Sequence, residues 1–121
     1  MADLSGRRIL IVEDEIMIAL SLQDTLKELG CVVIGIAQQI EDGLRLIAAN
    51  AGTIDAATLD VRLGDTTSYD IAVALDMRRI PFVITTGYEL APQLISYENR
   101  PTLRKPYSKD ALEQMLRRLF D

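Results

Sequence analysis

Short apolar runs alternate with segments of helical periodicity along the whole chain. The first run, Arg8–Val12, is continuous and rich in β-branched residues, which is typical of a strand that is buried on both faces of a parallel sheet. After it, leucine and isoleucine recur at helical spacing from residue 18 to residue 29, and Gly30 marks the helix end. Strands that alternate with helices pair in parallel through right-handed crossovers. The pattern therefore predicts a doubly wound α/β fold, (βα)5, with a five-stranded parallel sheet.

The same alternation places the other elements. The expected strands cover residues 8–12, 32–36, 54–59, 82–85 and 101–104, and the expected helices cover about 18–29, 40–50, 71–77, 92–97 and 112–119. The strand at 54–59 has the weakest β propensity because it contains two alanines. Pro81 opens the fourth strand, since proline is excluded from helix interiors. We expect a polar loop at residues 62–67.

Composition and charge exclude several classes of function. A length of 121 residues with 49% hydrophobic residues predicts one domain with its own core. The net charge of −5 argues against non-specific nucleic-acid binding. The absence of histidine excludes Ser-His-Asp and Cys-His catalysis and His-ligated zinc. Cys31 has no second cysteine for an internal disulfide and is expected to be a small buried hydrophobic residue.

The polar start of the chain lacks the order of a signal peptide. No stretch approaches the roughly 18 apolar residues that a membrane span needs. We therefore expect a cytoplasmic protein with neither membrane nor nucleic acid among its partners.

Charged and hydroxyl side chains follow four of the predicted strands. Glu13 and Asp14 follow the first strand, Asp60 the third, Thr86 the fourth and Lys105 the fifth. The carboxyl ends of parallel strands meet at one edge of an open sheet, where ligands bind. Each residue alone is ordinary, as a helix-start acid, a loop acid, a turn residue or a solvated lysine. Their joint placement predicts one site.

An acidic cluster without histidine or cysteine suits a hard cation, and Mg²⁺ is the natural choice. Magnesium takes only one or two carboxylates and keeps several waters. One carboxylate is then left for another task, and Asp60 is our candidate for a nucleophile that attacks a phosphoryl group. Lys105 can neutralise charge on that group, and Thr86 can donate its hydroxyl to a phosphate oxygen.

Four segments together resemble the receiver domain of two-component response regulators. They are the acidic opening at residues 9–15, Leu59-Asp60-Val61, Thr85-Thr86-Gly87-Tyr88 and Arg104-Lys105-Pro106-Tyr107. The resemblance covers essentially the whole chain. It implies a flavodoxin-like fold with strand order 2-1-3-4-5 and one receiver domain over residues 1–121, with no output domain. Such a domain is not an enzyme beyond its own phosphorylation and dephosphorylation.

The resemblance also implies roles for individual residues. Asp60 would accept a phosphoryl group from a sensor histidine kinase or a histidine phosphotransfer protein. Mg²⁺ would be held by Glu13, Asp14, Asp60 and the backbone carbonyl of Arg62. Lys105 would bind the phosphoryl group. Thr86 would bind the phosphoryl group and act as the switch residue that responds to it. Partner binding would change through the loop after the fourth strand and the face of the fourth helix, fifth strand and fifth helix, where a regulator protein could bind the phosphorylated state.

Two positions depart from the usual pattern of the family. Thr102 stands where an aromatic residue is usual in the family. In the common switch, that aromatic ring turns inward behind the threonine at the position of Thr86. This chain lacks the ring at residue 102, and Tyr88 is our candidate to replace it. The segment 62–67 replaces a loop that usually contains proline. These departures resemble a single-domain subgroup common in alphaproteobacteria with a Phe-x-x-Thr-Gly-x-Tyr type motif, although here Tyr88 directly follows Gly87.

Two other classes of function stay open at this point. A small Mg²⁺-dependent aspartyl phosphatase of the haloacid dehalogenase type shares the chemistry, but it needs a second acid where Arg62 stands. A protein-binding module that is never phosphorylated would keep the fold alone. An FMN-binding protein is disfavoured, because the acids at 13–15 would repel the phosphate of FMN.

Overall fold

A computed structural model of the chain describes residues 3–87 and 100–121. The elements in these ranges are β1 (Arg8–Val12), α1 (Ile16–Glu28), β2 (Val32–Ala37), α2 (Ile40–Asn50), β3 (Ala56–Asp60), β4 (Arg62–Leu63), β5 (Thr66–Thr67), α3 (Tyr69–Met77), β6 (Phe82–Thr86), β7 (Thr102–Arg104) and α4 (Lys109–Phe120). The helix predicted at 92–97 lies outside the described residues.

Five of the strands form one parallel sheet in the order β2-β1-β3-β6-β7. Counted along the large sheet alone, this is the predicted order 2-1-3-4-5. The structure therefore confirms the doubly wound, flavodoxin-like α/β fold. Among the described residues, no helix combines the length and apolar character that crossing a bilayer would require.

Helices cover both faces of the sheet. Residues of α2 and α3 pack with one set of strand residues, and residues of α1 and α4 pack with the other set. In β1, Leu10 and Val12 belong to the α2–α3 side, whereas Ile9 and Ile11 belong to the α1–α4 side. Because successive strand residues point to opposite faces, both sets must be apolar, which explains the continuous apolar run.

The central strand β3 is fully buried although its propensity is weak. It lies between β1 and β6, so burial on both faces outweighs the low β propensity of Ala56 and Ala57. Thr58 is also buried, and its Oγ1 has no hydrogen-bond partner among the described residues. The strand ends at Asp60, which is 8% exposed.

The first helix ends as the sequence predicts. Gly30 follows the C-cap residue Leu29 and has a φ of +93°, a conformation that glycine adopts without the cost of a Cβ clash. Its backbone N–H donates to the carbonyl of Lys27 at 3.0 Å. Cys31 follows directly and is buried, as expected.

The expectation of a polar loop at residues 62–67 is wrong. The strands β4 and β5 pair antiparallel there and form a short hairpin. Gly64 and Asp65 form its two-residue turn, and Gly64 has a φ of +63°. Glycine at the first turn position with positive φ is typical of hairpin turns. Leu63 is buried and packs into the α2–α3 side of the core, which anchors the hairpin.

Candidate functional site

Three carboxylates meet at the carboxyl end of the sheet. In the pairing of β1 with β3, Val12 lies opposite Leu59, so Glu13 and Asp60 follow paired positions on neighbouring strands. One oxygen atom each from Glu13, Asp14 and Asp60 lies within 4.8 Å of the others. A set of oxygen donors this close fits a hard divalent cation. The cluster is thus able to hold a metal ion.

Lys105 joins two of these acids. It directly follows β7, and its backbone N–H donates to the carbonyl of Thr86 at 2.8 Å. Its ammonium nitrogen Nζ donates to Glu13 Oε1 at 2.7 Å and to Asp60 Oδ2 at 2.9 Å. Glu13 follows β1, Asp60 ends β3 and Lys105 follows β7, so three strands of the sheet position the group.

Burial and repulsion make ionisation of Glu13 less favourable than ionisation of an exposed glutamate. Burial raises the pKa of Glu13 to about 7, the neighbouring Asp60 carboxylate adds to the rise, and the Lys105 ammonium opposes it. For Lys105, burial acts to lower the pKa, but the hydrogen bonds to Glu13 and Asp60 outweigh burial and the pKa is raised. Lys105 is therefore protonated at neutral pH. One ammonium group faces three carboxyl groups, and a further cation would relieve their repulsion.

Asp14 is held by two contacts that the sequence did not reveal. The backbone N–H of Gly64 donates to Asp14 Oδ2 at 2.9 Å, and Gln38 Nε2 donates to the backbone carbonyl of Asp14 at 3.1 Å. Burial acts to raise the pKa of Asp14, but the Gly64 hydrogen bond and the nearby Lys105 charge contribute to a net lowering. The Gly64-Asp65 dipeptide carries a hairpin signal that could have identified the turn. Gln38 carries no such signal.

Arg62 and Thr86 lie beside the cluster. The backbone N–H of Arg62 donates to Asp60 Oδ1 at 3.3 Å. Thr86 ends β6 and is buried. Gly87, which follows it, lines a cavity of about 330 Å³ together with Asp60 and Lys105 among others. The Asp60 carboxylate is thus held by one donor on each oxygen and borders a space large enough for a small group.

The structure describes one of the two predicted switch positions, Thr102. Tyr88 lies outside the described residues. Thr102 is half-buried in β7, and its hydroxyl donates to the carbonyl of Arg100 at 3.0 Å. Arg100 Nη2 in turn donates to both carboxylate oxygens of Asp76, at 2.7 and 2.9 Å, and the guanidinium lies 5.0 Å from the ring centroid of Phe82. This anchor of the β7 start to α3 was not predicted.

A comparison of the sequence with models of protein families identifies the family. Residues 9–117 match the response regulator receiver domain. The chain belongs to this family. The predicted family is therefore confirmed, and the receiver domain is a signalling module of two-component systems. The subgroup defined by the Phe-x-x-Thr-Gly-x-Tyr type motif stays a prediction.

Solved structures agree with this assignment. SdrG from Sphingomonas melonis Fr1 is 37% identical, with all of both chains covered and a TM-score of 0.82. The response regulator PhyR from Brucella abortus is 25% identical, with a TM-score of 0.80. That match covers 97% of this receiver domain and 49% of PhyR, so the chain spans about half the length of PhyR.

A third structure shares the fold alone. The signal receiver domain of a modulated diguanylate cyclase from Desulfovibrio desulfuricans G20 is 24% identical, with a TM-score of 0.82, 95% of this chain covered and 94% of that one. No curated protein sequence matches the chain.

Proposed function

We propose that this receiver domain is a phosphoacceptor switch in which Asp60 receives a phosphoryl group from a sensor histidine kinase or a histidine phosphotransfer protein. The observation that supports this most directly is the position of Lys105 Nζ, which donates to Asp60 at 2.9 Å and to Glu13 at 2.7 Å. A lysine beside the acceptor carboxylate neutralises charge on a transferred phosphoryl group, which is the main demand of this chemistry. The match to the receiver family points the same way.

In the proposed transfer, a carboxylate oxygen of Asp60 attacks the phosphorus of a phosphohistidine. The new P–O bond forms as the P–N bond breaks, and the electron pair leaves with the imidazole, which takes up a proton. The N–H of Arg62 and the ammonium of Lys105 orient the carboxylate for attack. Lys105 then stays beside the phosphoryl oxygens, and the Thr86 hydroxyl donates to one of them.

The proposed cofactor is Mg²⁺, which Glu13, Asp14, Asp60 and the backbone carbonyl of Arg62 would hold. A bound magnesium ion supplies positive charge beside the phosphoryl oxygens. The cluster of three carboxylates around one ammonium fits this need. Because Arg62 stands two residues after Asp60, where an aspartyl phosphatase needs a second acid, the signalling role is favoured over that enzyme.

The proposed output is a change in partner binding. Phosphorylation adds negative charge and strong acceptor oxygens at Asp60, which would draw Thr86 and Lys105 toward the phosphoryl group. The change then passes to the segment after Gly87 and to the face formed by the helix expected at 92–97, β7 and α4, with Tyr88 in place of the ring missing at Thr102. Residues 88–99 lie outside the described residues. The partner is a regulator protein in the cytoplasm.

Intact-mass spectrometry with Mg²⁺ and acetyl phosphate tests the proposal. The wild type should gain the mass of one phosphoryl group, and Asp60→Asn should gain none. Asp65→Asn is a matched control, because it makes the same change at an exposed hairpin acid, and it should behave as the wild type does. An equal gain in Asp60→Asn, or none in the wild type, contradicts the proposal. Repeated hydrolysis of small phosphate esters would favour the aspartyl phosphatase.

A further inference from the structure

Asp14 is fixed in place by two segments that are distant in sequence. Its carboxylate accepts a hydrogen bond from the backbone N–H of Gly64, in the turn of the β4–β5 hairpin. Its carbonyl accepts one from the side chain of Gln38, in the connection between β2 and α2. Asp14 itself lies in the connection between β1 and α1. Three separate connections thus meet at Asp14, and the hairpin turn contacts its carboxylate.

This bracing acts against a repulsive force. Asp14 is less buried than Glu13 and Asp60, so its side chain could turn toward solvent and escape the other two carboxylates. A hydrogen bond from an N–H to a charged carboxylate is stronger than one between neutral groups. The Gly64 contact therefore offsets part of the repulsion and keeps Asp14 within 4.8 Å of the other two acids.

We propose that the β4–β5 hairpin is a positioning element for the cation site, and that the Gly64 N–H presets Asp14 to bind a divalent cation. The proposal rests on the cation site of the proposed function. It assigns a role to the Gly64-Asp65 turn, which supplies no cation ligand of its own in the proposed site. Groups that orient a ligand without touching the metal commonly change metal affinity 10- to 100-fold, in order of magnitude.

The turn depends on glycine for a conformational reason. Gly64 has a φ of +63°, and a Cβ at this position would meet nothing within 4 Å. A side chain there is therefore disfavoured by the backbone conformation and not by a clash. Asparagine tolerates positive φ better than a β-branched residue does. Gly64→Asn should displace the N–H less than Gly64→Val does.

Titration with Mn²⁺, followed by the electron paramagnetic resonance signal of the free ion, tests the proposal. Gly64→Val should weaken Mn²⁺ binding about 10-fold, and Gly64→Asn should weaken it less. Gly6→Val is a matched control, because Gly6 also has positive φ and open space for a Cβ but lies before β1. It should lose stability from the same strain and keep its Mn²⁺ affinity.

A second measurement reads the hydrogen bond directly. In metal-free protein, Asp14→Ala should shift the Gly64 amide proton resonance upfield and speed its exchange with solvent, even if Gly64→Val fails to fold. Unchanged Mn²⁺ affinity in Gly64→Val, or an unchanged Gly64 amide in Asp14→Ala, overturns the positioning role alone. A wild type that binds no Mn²⁺ overturns the cation site and the positioning role together.

Discussion

Two ionic clusters in this receiver domain differ in their balance of charge. Lys105 faces Glu13 and Asp60, and the three side chains are 22%, 4% and 12% exposed. Arg100 pairs with Asp76, and these side chains are 35% and 33% exposed. The first cluster is buried and places one positive charge against two acids, whereas the second is half-exposed and pairs one positive charge with one acid. The excess of acids in the first cluster suits a site that takes up a cation, as the proposed function requires. The one-to-one pairing in the second cluster suits a structural anchor.

The largest expected effect is the loss of Lys105. Lys105→Met should lower the free energy of unfolding by about 3 kcal/mol in metal-free buffer, because it leaves buried carboxylates without their counter-charge. Urea unfolding measures the change. Lys109→Met is the control, since Lys109 pairs with Glu28 at the exposed surface and should leave stability unchanged within error. Equal losses in both variants would show that the buried cluster is no different from a surface pair.

Magnesium should stabilise the first cluster only. At a concentration ten times its dissociation constant, Mg²⁺ should raise the free energy of unfolding by about 1.4 kcal/mol, and removal by a chelator should reverse the gain. Asp14→Asn should lose most of this response, and Asp65→Asn should keep it. Thermal unfolding with and without Mg²⁺ provides the measurement. A full response in Asp14→Asn would remove Asp14 from the cation site.

The same substitution should have opposite signs in the two clusters. In metal-free buffer, Asp60→Asn should stabilise the protein by about 1 kcal/mol, because it removes the repulsion with Glu13 while Lys105 keeps a partner. Asp76→Asn should destabilise it by about 1 kcal/mol, because Arg100 loses its ion pair with Asp76. Urea unfolding of both variants measures the two changes in the free energy of unfolding. Changes of the same sign in Asp60→Asn and Asp76→Asn would contradict the difference in charge between the two clusters.

The smallest expected effect concerns a buried polar group without charge. Thr58→Val should stabilise the protein by about 0.5 kcal/mol, since it replaces a hydroxyl that has no hydrogen-bond partner among the described residues with a methyl group of similar shape. Thr102→Val should instead lose stability, because the Thr102 hydroxyl donates to Arg100. Differential scanning calorimetry of both variants tests this. A destabilised Thr58→Val would mean that its hydroxyl has a partner in solution.

The sequence carried enough information for the sheet and for much of the site. The apolar runs identified the strands, because burial on both faces leaves no polar position in β1 after Arg8. Parallel pairing then placed Glu13, Asp60 and Lys105 at one edge. This placement depends on local patterns and on rules of parallel topology, whereas the strand order came from the resemblance to the receiver family.

Other features depend on contacts that local patterns do not encode. Arg100 and Asp76 are 24 positions apart, and neither stands at a strand end on the functional edge. The hairpin had a local signal in Gly64-Asp65, but the polar composition of its neighbours favoured a loop. The contact of Gly64 with Asp14 spans 50 positions. It uses a backbone N–H, which every residue except proline has, so the residue type does not predict it.

The distance along the chain between Lys105 and its two acids has a consequence for synthesis. Lys105 comes 92 positions after Glu13 and 45 after Asp60. At roughly 10 residues per second on the ribosome, it follows Asp60 by about 4 to 5 seconds. Until then the growing polypeptide carries both anions without the ammonium that joins them. The phosphoryl transfer that we propose at Asp60 therefore requires a chain that has been translated beyond β7.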